Sequence, residues 1–186
     1  MWAAEALERF SAAVPLPGRV LDVGSGSGEH AKALRAANYE VTELDWGKGQ
    51  DYNTWTCLAG SFDGIWCSHV LEHQQNVGSF LRKLRRDLRP GGLLAITVPP
   101  AKHDIVGGHL TLWNAGLLLY NLVVAGWDCH EARVGAYGYN ISVIVNRVDA
   151  ALPRLAYDQG DIEALAHFFP VPVHQGFRGD LVRWKW

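Results

Sequence analysis

The sequence is poor in cysteine, in net charge and in long apolar runs, and each shortage removes a class of protein. Three cysteines occur in 186 residues, Cys57, Cys67 and Cys129. Their odd number and the lack of any C-x-x-C spacing argue against a disulfide framework or a zinc site, and predict a reducing, cytoplasmic compartment. The net charge is only -2. No global basic field favours nucleic acid, so no nucleic-acid partner is expected. The most apolar helical stretch, Leu117 to Ala125, is far shorter than the roughly 20 residues that a membrane span needs. Residues Met1 to Arg9 carry acids early and no basic region leading into an apolar core, so no signal peptide is expected there. Internal repeats and low-complexity runs are also missing.

Hydrophobic residues make up 48% and charged residues 19% of the chain, the balance of a globular domain. A short helix is expected over residues 3–13, ended by Pro15 and Pro17-Gly18. The run Arg19 to Gly24 then reads as a buried strand, Glu29 to Ala37 as a helix, Glu40 to Asp45 as a second strand and Phe62 to Ser68 as a third. Val77, Phe80, Leu81, Leu84 and Leu88 follow the helical period, and Pro90-Gly91-Gly92 stops that helix. Leu93 to Val98 is a near-continuous apolar run suited to a central parallel strand. Asn114 caps a further helix that Gly126 ends. Strands around Glu131–Ala136 and Ile141–Arg147 close the pattern as an antiparallel hairpin at one edge. Strands alternating with helices predict a doubly wound, Rossmann-like α/β sheet, mostly parallel and covered on both faces. One domain spans residues 1–148. The tail, residues 149–186, is expected to pack on it, with a helix over Asp161 to Phe168.

The chemistry concentrates where the first strand ends. Val23-Gly24-Ser25-Gly26-Ser27-Gly28 has G-x-G-x-G spacing between a strand and a helix, where glycines let the backbone bend sharply and approach a ligand. The nicotinamide fingerprint G-x-G-x-x-G would need glycine at position 29, and this chain has Glu29. A carboxylate there is a poor neighbour for a pyrophosphate, which disfavours an NAD-dependent oxidoreductase. Asp45 ends the second strand, where a carboxylate can accept from both hydroxyls of a ribose. Glu43 points to the same side and is the fallback. Trp46 is placed to pack on an adenine face, and Asp51, with Tyr52 beside it, to meet the adenine amino group. A tight turn without a ligand would explain the glycines alone. Asp22, Asp45 and Asp51 in register with the turn point to a bound nucleoside.

These residues resemble the class I S-adenosylmethionine-dependent methyltransferases, in particular the small-molecule group that includes the ubiquinone and menaquinone biosynthesis enzymes. The resemblance runs over residues 18–148. Val20 to Gly28 is similar to the family's first motif, and Val41 to Asp45 to its second-strand acidic motif. Phe62 to His73 is similar to its fourth-strand motif and following loop, and Leu88 to Ile96 to its Pro-Gly-Gly turn and fifth strand. The resemblance implies a seven-stranded sheet with the last strand antiparallel and S-adenosylmethionine as cofactor. It implies backbone contact to the methionine and ribose from Gly24, Ser25, Gly26 and Gly28, with Asp22 at the same turn. Asp45 would bind the ribose, Asp51 the adenine amine, and Ser68 and His69 the methionine half. The connection from Asp51 to Phe62 and the N-terminal segment are both short. A thin cap over the cofactor follows, or one supplied by a partner subunit, which leaves a homodimer open.

A base is needed only if the acceptor arrives protonated, and histidine is the best candidate near neutral pH. His69 and His73 follow the third strand read above, and His109 lies in the glycine-rich loop from Lys102 to Leu110. His109 is favoured for acceptor contact or base. His69 is favoured as a wall of the methionine pocket, and His73 as a turn contact. His69, His73 and Glu72 raise the question of a metal, but one short segment supplies all three, so no metal is expected. The tail's Phe168-Phe169-Pro170 and Gln175-Gly176-Phe177 resemble tails of methyltransferases from surface-polysaccharide gene clusters. The acceptor is therefore expected to be a small molecule or a glycan-linked precursor. The competing reading is a scaffold that keeps the cofactor fold without turnover.

Overall fold

The computed structural model describes residues 2–186. The chain runs α1 (Ala4–Ala13), β1 (Arg19–Val23), α2 (Glu29–Ala36), β2 (Glu40–Leu44), β3 (Phe62–Ser68) and α3 (Val77–Asp87). It continues through β4 (Leu88–Val98), α4 (Ala115–Val124), β5 (Arg133–Tyr137), β6 (Asn140–Asn146), α5 (Asp161–Ala164) and β7 (Arg183–Trp184). The strands form one seven-stranded sheet in the order β2-β1-β3-β4-β6-β5-β7. β2, β1, β3 and β4 are parallel, and the β4–β6, β6–β5 and β5–β7 pairs are antiparallel. This is the Rossmann-like α/β class.

Side chains alternate between two cores, as the period-2 geometry of a strand requires. Leu21, Val23, Ile65, Cys67, Leu94 and Ile96 face one core with Leu81 and Leu84 of α3 and Leu118, Leu119 and Leu122 of α4. Val20, Trp66, Leu93 and Ala95 face the other, with Leu7 and Phe10 of α1 and Leu34 of α2. Helices therefore cover both faces of the sheet. Gly64 of β3 is needed on the α1 side, since a Cβ there would come within 2.7 Å of the Phe10 ring.

Three details differ from the sequence reading. The hairpin is not itself the edge: β6 lies between β4 and β5, and β7 covers β5. The reason is the tail, which lays Arg183–Trp184 along the outer side of β5, where Ala136 N–H donates to the Val182 carbonyl at 2.7 Å. Pro90-Gly91-Gly92 does not precede β4 but lies within it as an irregularity. Gly91 N–H donates to the Arg147 carbonyl at 2.9 Å and Arg147 N–H to that of Gly92 at 2.7 Å. Finally, the helix expected over Asp161 to Phe168 splits into α5 and a 3-10 turn at Ala166–Phe168.

Leu165, Phe168, Phe169 and Val173 of the tail join the core beneath α4. Phe177 packs so closely on Gly116 that a Cβ there would lie 2.4 Å from its ring. Trp186 lies over Gly135 and donates its indole N–H to Glu5 at 2.6 Å. Among the described residues, no helix is long and apolar enough to cross a membrane.

Candidate active site

In an open α/β sheet, ligands bind beyond the carboxyl ends of the strands where the strand order reverses. Here that point lies between β1 and β3, and the cleft opens there. Its first wall is the turn after β1. Gly24, Gly26 and Gly28 all have positive φ (75°, 50° and 81°), a region that glycine enters without steric cost. A Cβ on Gly24 would strike Val70 Cγ2 at 2.2 Å, whereas one on Gly26 would meet nothing within 4 Å. Gly24 thus answers to packing. Gly26 lines the cleft and is bare toward it.

Asp45, just past β2, is tied directly to this turn. Its Oδ2 accepts from Gly26 N–H at 2.7 Å and its Oδ1 from Gly47 N–H at 2.9 Å. A carboxylate has capacity for further donors beyond these two. Glu43, the fallback, is committed elsewhere, to Arg35 at 2.5 Å and to Lys48 at 3.3 Å. The Arg35 bond outweighs burial and holds its carboxyl below the ordinary range. Lys48 also donates to Ser25 Oγ at 3.1 Å. Asp22 is buried with Oδ2 unpartnered, and its pKa rises to about 7. Burial is the chief cause, reinforced by Glu43 and Asp45 and opposed by Lys48.

The cleft has two chambers that share His69 and His73. The larger, about 1010 Å³, is bordered by Asp45, Trp46, Asp51 and Asn53. Trp46 is 82% exposed, so its ring is unused by the fold. Asp51 Oδ1 accepts from both the backbone and side-chain nitrogens of Asn53. Tyr52, expected beside them, is not there. It is buried against Phe80, and its hydroxyl donates to Asp87 at 2.9 Å. The turn that begins at Asp51 aims successive side chains in opposite directions, so Tyr52 serves the core.

The smaller chamber, about 340 Å³, is lined by Gly24 to Ser27, Glu29, Ser68, His69, Glu72, His73 and His109. Three residues that the sequence reading did not select complete it, Trp2, His30 and Tyr139. Trp2 and Tyr139 come from the two distant ends of the domain, and only the turn signal at Tyr137–Asn140 hinted at either. The N-terminal segment therefore supplies a wall of its own. His69 stacks on Tyr139 with rings 6.3 Å apart and 10° from parallel, and Trp2 meets both edge-on.

His69 holds a strained, left-handed φ of 56°. Its Nε2 lies 2.9 Å from Asn140 Oδ1 and its Nδ1 3.3 Å from Glu72 Oε1. Asn140 Nδ2 donates to the Tyr137 carbonyl, which fixes the amide with its oxygen toward the ring. Each ring nitrogen therefore faces a side-chain oxygen. Burial pulls the His69 pKa down, but the bonds to Glu72 and Asn140 outweigh it and leave the pKa above 6.5. Both ring nitrogens of His69 are thus engaged, whereas, among the described residues, His73 Nε2 and the His109 ring make no hydrogen bond. Around the ends of β1 and β3, Asp22 Oδ2, Ser68 Oγ and Glu72 Oε2 are buried without a partner. Orphaned buried polar atoms beside an open glycine cradle fit a polar ligand.

A Rossmann-like sheet with a glycine turn, a strand-end carboxylate and a two-chambered cleft is the layout of a nucleoside-binding α/β fold. The family model for the methyltransferase domain matches residues 2–129, and the chain belongs to that family, within the class I S-adenosylmethionine-dependent methyltransferases. It is 32% identical over 113 residues to the ubiquinone biosynthesis O-methyltransferase of Xanthomonas campestris pv. campestris (strain B100). That match covers 49% of this chain and 47% of the relative, so the chain spans about half the length of that protein. The fold is also similar to the 1,6-didemethyltoxoflavin-N1-methyltransferase of Burkholderia thailandensis, solved with bound 1,6-didemethyltoxoflavin and S-adenosylhomocysteine. The TM-score is 0.66 at 20% identity, covering 78% of each chain. A SAM-dependent methyltransferase from Aquifex aeolicus gives 0.58 at 21% identity, covering 76% of this chain and 89% of that one.

Proposed function

We propose that this chain transfers a methyl group from S-adenosylmethionine to a small, flat acceptor held in the smaller chamber. The observation that carries this is the join between Gly26, bare toward the cleft, and Asp45, which bonds that same turn from the next strand. S-adenosylmethionine supplies an electrophilic methyl carbon on a positively charged sulfur. The residues would hold it in order along the cleft, with Trp46 and Asp51 at the adenine, Asp45 at the ribose, and the turn with Asp22 and Ser68 at the methionine. Holding both reactants in one cleft converts a two-body encounter into a local one, the main contribution a protein makes to such a transfer.

The acceptor chamber is aromatic. Trp2, His69 and Tyr139 form three sides of a cage suited to a planar ring, and its volume lies in the range of small-molecule sites. His109, beside His73 in the same lining, is the contact for an acceptor hydroxyl or amine. Two relatives carry names that fit this reading, one acting in ubiquinone biosynthesis and one on the N1 of 1,6-didemethyltoxoflavin. The tail motifs favour no glycan, because Phe168 and Phe169 are core residues and Phe177 packs on Gly116.

Methyl-labelled donor, incubated with the protein and a fractionated cell extract, tests the proposal. Label is expected in the low-molecular-mass fraction, and to be lost with Asp45→Ala. Label confined to macromolecules, or none from a chain that binds the donor, refutes it.

A further inference from the structure

Two aromatic walls of the smaller chamber, Trp2 and Tyr139, are far apart in sequence, and one short segment braces both of the elements that carry them. Trp2 lies two residues before α1, and Tyr139 lies in the turn between β5 and β6. The bracing segment is β7 with Val182 before it and Trp186 after it, laid along the outer side of β5.

The first turn of α1 has no cap of its own. Ala3, its N-cap residue, makes no side-chain bond to it, and the opening N–H groups of a helix need partners from outside. Tyr137 of β5 meets part of that need. Its hydroxyl accepts from Ala6 N–H at 3.1 Å and shares a bond of 3.0 Å with Ser142 Oγ. Its carbonyl accepts from Asn140 Nδ2, and the Oδ1 of that amide faces His69. Tyr137 therefore touches α1 on one side and the support of His69 on the other.

Trp186 locks this arrangement from above β5. Its indole N–H donates to Glu5 Oε1 at 2.6 Å, in the same first turn of α1. Its ring lies 5.6 Å from that of Tyr137, with the Arg9 guanidinium 5.0 Å over it. Arg183 and Arg9 reach the same Glu5 oxygen at 3.3 Å and 3.8 Å. Gly135, in the middle of β5, makes no left-handed turn. A Cβ there would lie 2.4 Å from the indole, so glycine stands at that position for the ring. Trp2, by contrast, is 63% exposed. Its carbonyl accepts from His30 Nε2 at 2.8 Å, and its indole meets only the edges of His69 and Tyr139. Its place depends on where α1 is held.

We propose that Trp186 and Glu5 are positioning residues for the smaller chamber: their bond clasps the first turn of α1 to β5 and so keeps Trp2 against His69 and Tyr139. Resting on the proposed function, the clasp sets how well the acceptor is held and leaves the methyl donor, bound at the glycine turn and Asp45, unaffected.

Fluorine NMR of the full chain labelled with 5-fluorotryptophan tests the clasp without any substrate. Trp2→Phe removes one line and thereby assigns it. In Trp186→Ala and in Glu5→Ala that line is expected to move toward the position of free 5-fluorotryptophan. Glu5→Gln keeps an acceptor for the indole N–H and should leave the line in place. Tyr52→Phe, destabilised in the core far from α1, should leave it too. Circular dichroism verifies each fold, and Glu5 is exposed enough that its variants remain informative if Trp186→Ala fails to fold. A Trp2 line that stays put in the folded clasp variants overturns the proposal, as does an equal movement in Tyr52→Phe. Transfer of labelled methyl to the low-molecular-mass fraction reads the chamber itself. Half-maximal labelling by Glu5→Ala should need at least about threefold more of that fraction, with the maximal rate kept, and S-adenosylhomocysteine should bind as to wild type. An unchanged half-maximal point overturns the positioning role. A wild type that labels nothing fails the methyltransferase reading, while the spectrum still decides the clasp.

Discussion

Replacing Gly26 by alanine separates a residue kept for the ligand from one kept for the fold. At φ 50° an alanine pays the left-handed penalty of about 1–2 kcal/mol, partly offset by a stiffer unfolded chain. Nothing lies within 4 Å of the new methyl, so no clash is added. Gly24→Ala bears the same kind of penalty at φ 75° and also drives its Cβ to 2.2 Å from Val70 Cγ2. Overpacking of that kind adds about 1–3 kcal/mol. Urea unfolding of the free proteins should therefore rank Gly24→Ala clearly below Gly26→Ala, with Gly26→Ala within about 1.5 kcal/mol of wild type. Calorimetry with S-adenosylhomocysteine should single out Gly26→Ala, because its methyl occupies the space the ligand needs. A loss of at least about tenfold, or 1.4 kcal/mol, is expected. Wild-type affinity in a folded Gly26→Ala protein would refute the assignment of this turn.

Three further outcomes follow from the same geometry. Asp22 has a folded pKa near 7 against an ordinary 3.8, so the folded state holds its proton more tightly. Its contribution is fully present below about pH 4 and lost as pH rises through 7, by at most about 4 kcal/mol. Asp22→Asn lacks that loss and should gain stability over wild type between these pH values, and parallel urea-stability profiles would contradict this. Tyr52→Phe removes a buried bond to the Asp87 carboxylate and should cost about 1.5–3 kcal/mol of stability without changing donor affinity. A drop in S-adenosylhomocysteine affinity would return Tyr52 to the site. Trp46→Ala, at an exposed position, should move stability by no more than about 0.5 kcal/mol. It should weaken S-adenosylhomocysteine by about 1 kcal/mol, the scale of lost aromatic stacking, and equal titrations would remove the ring from the adenine site.

Local signals were legible in proportion to how little they depend on distant partners. β3 is bounded by its apolar run, and α4 by Asn114, whose side chain accepts from Leu117 N–H, and by Gly126 at φ 95°. Gly24, Gly26 and Asp45 meet because strand-end position already places them together. What escaped was decided by long-range pairing. β4 runs through its Pro-Gly-Gly segment because Arg147 bonds there from the far end of the domain. Tyr52 differs from Asp51 by one step along the chain, which is enough to turn it into the core. Trp2 and Tyr139 reach the cleft only after α1 and the hairpin have packed. His109 joins Glu72 because Leu110 bonds back across the sheet end, a contact no spacing rule anticipates.

The central claim is that the turn at residues 24–28 and the Asp45 carboxylate together hold an adenosyl ligand. Calorimetric titration of S-adenosylhomocysteine into wild type and Asp45→Asn tests it most directly. Asparagine keeps an acceptor for one of the Gly26 and Gly47 amides, so the variant should fold, bind one ligand per chain and do so about 1–3 kcal/mol more weakly. Absence of heat from folded wild type, or identical affinities in the two proteins, would contradict the account.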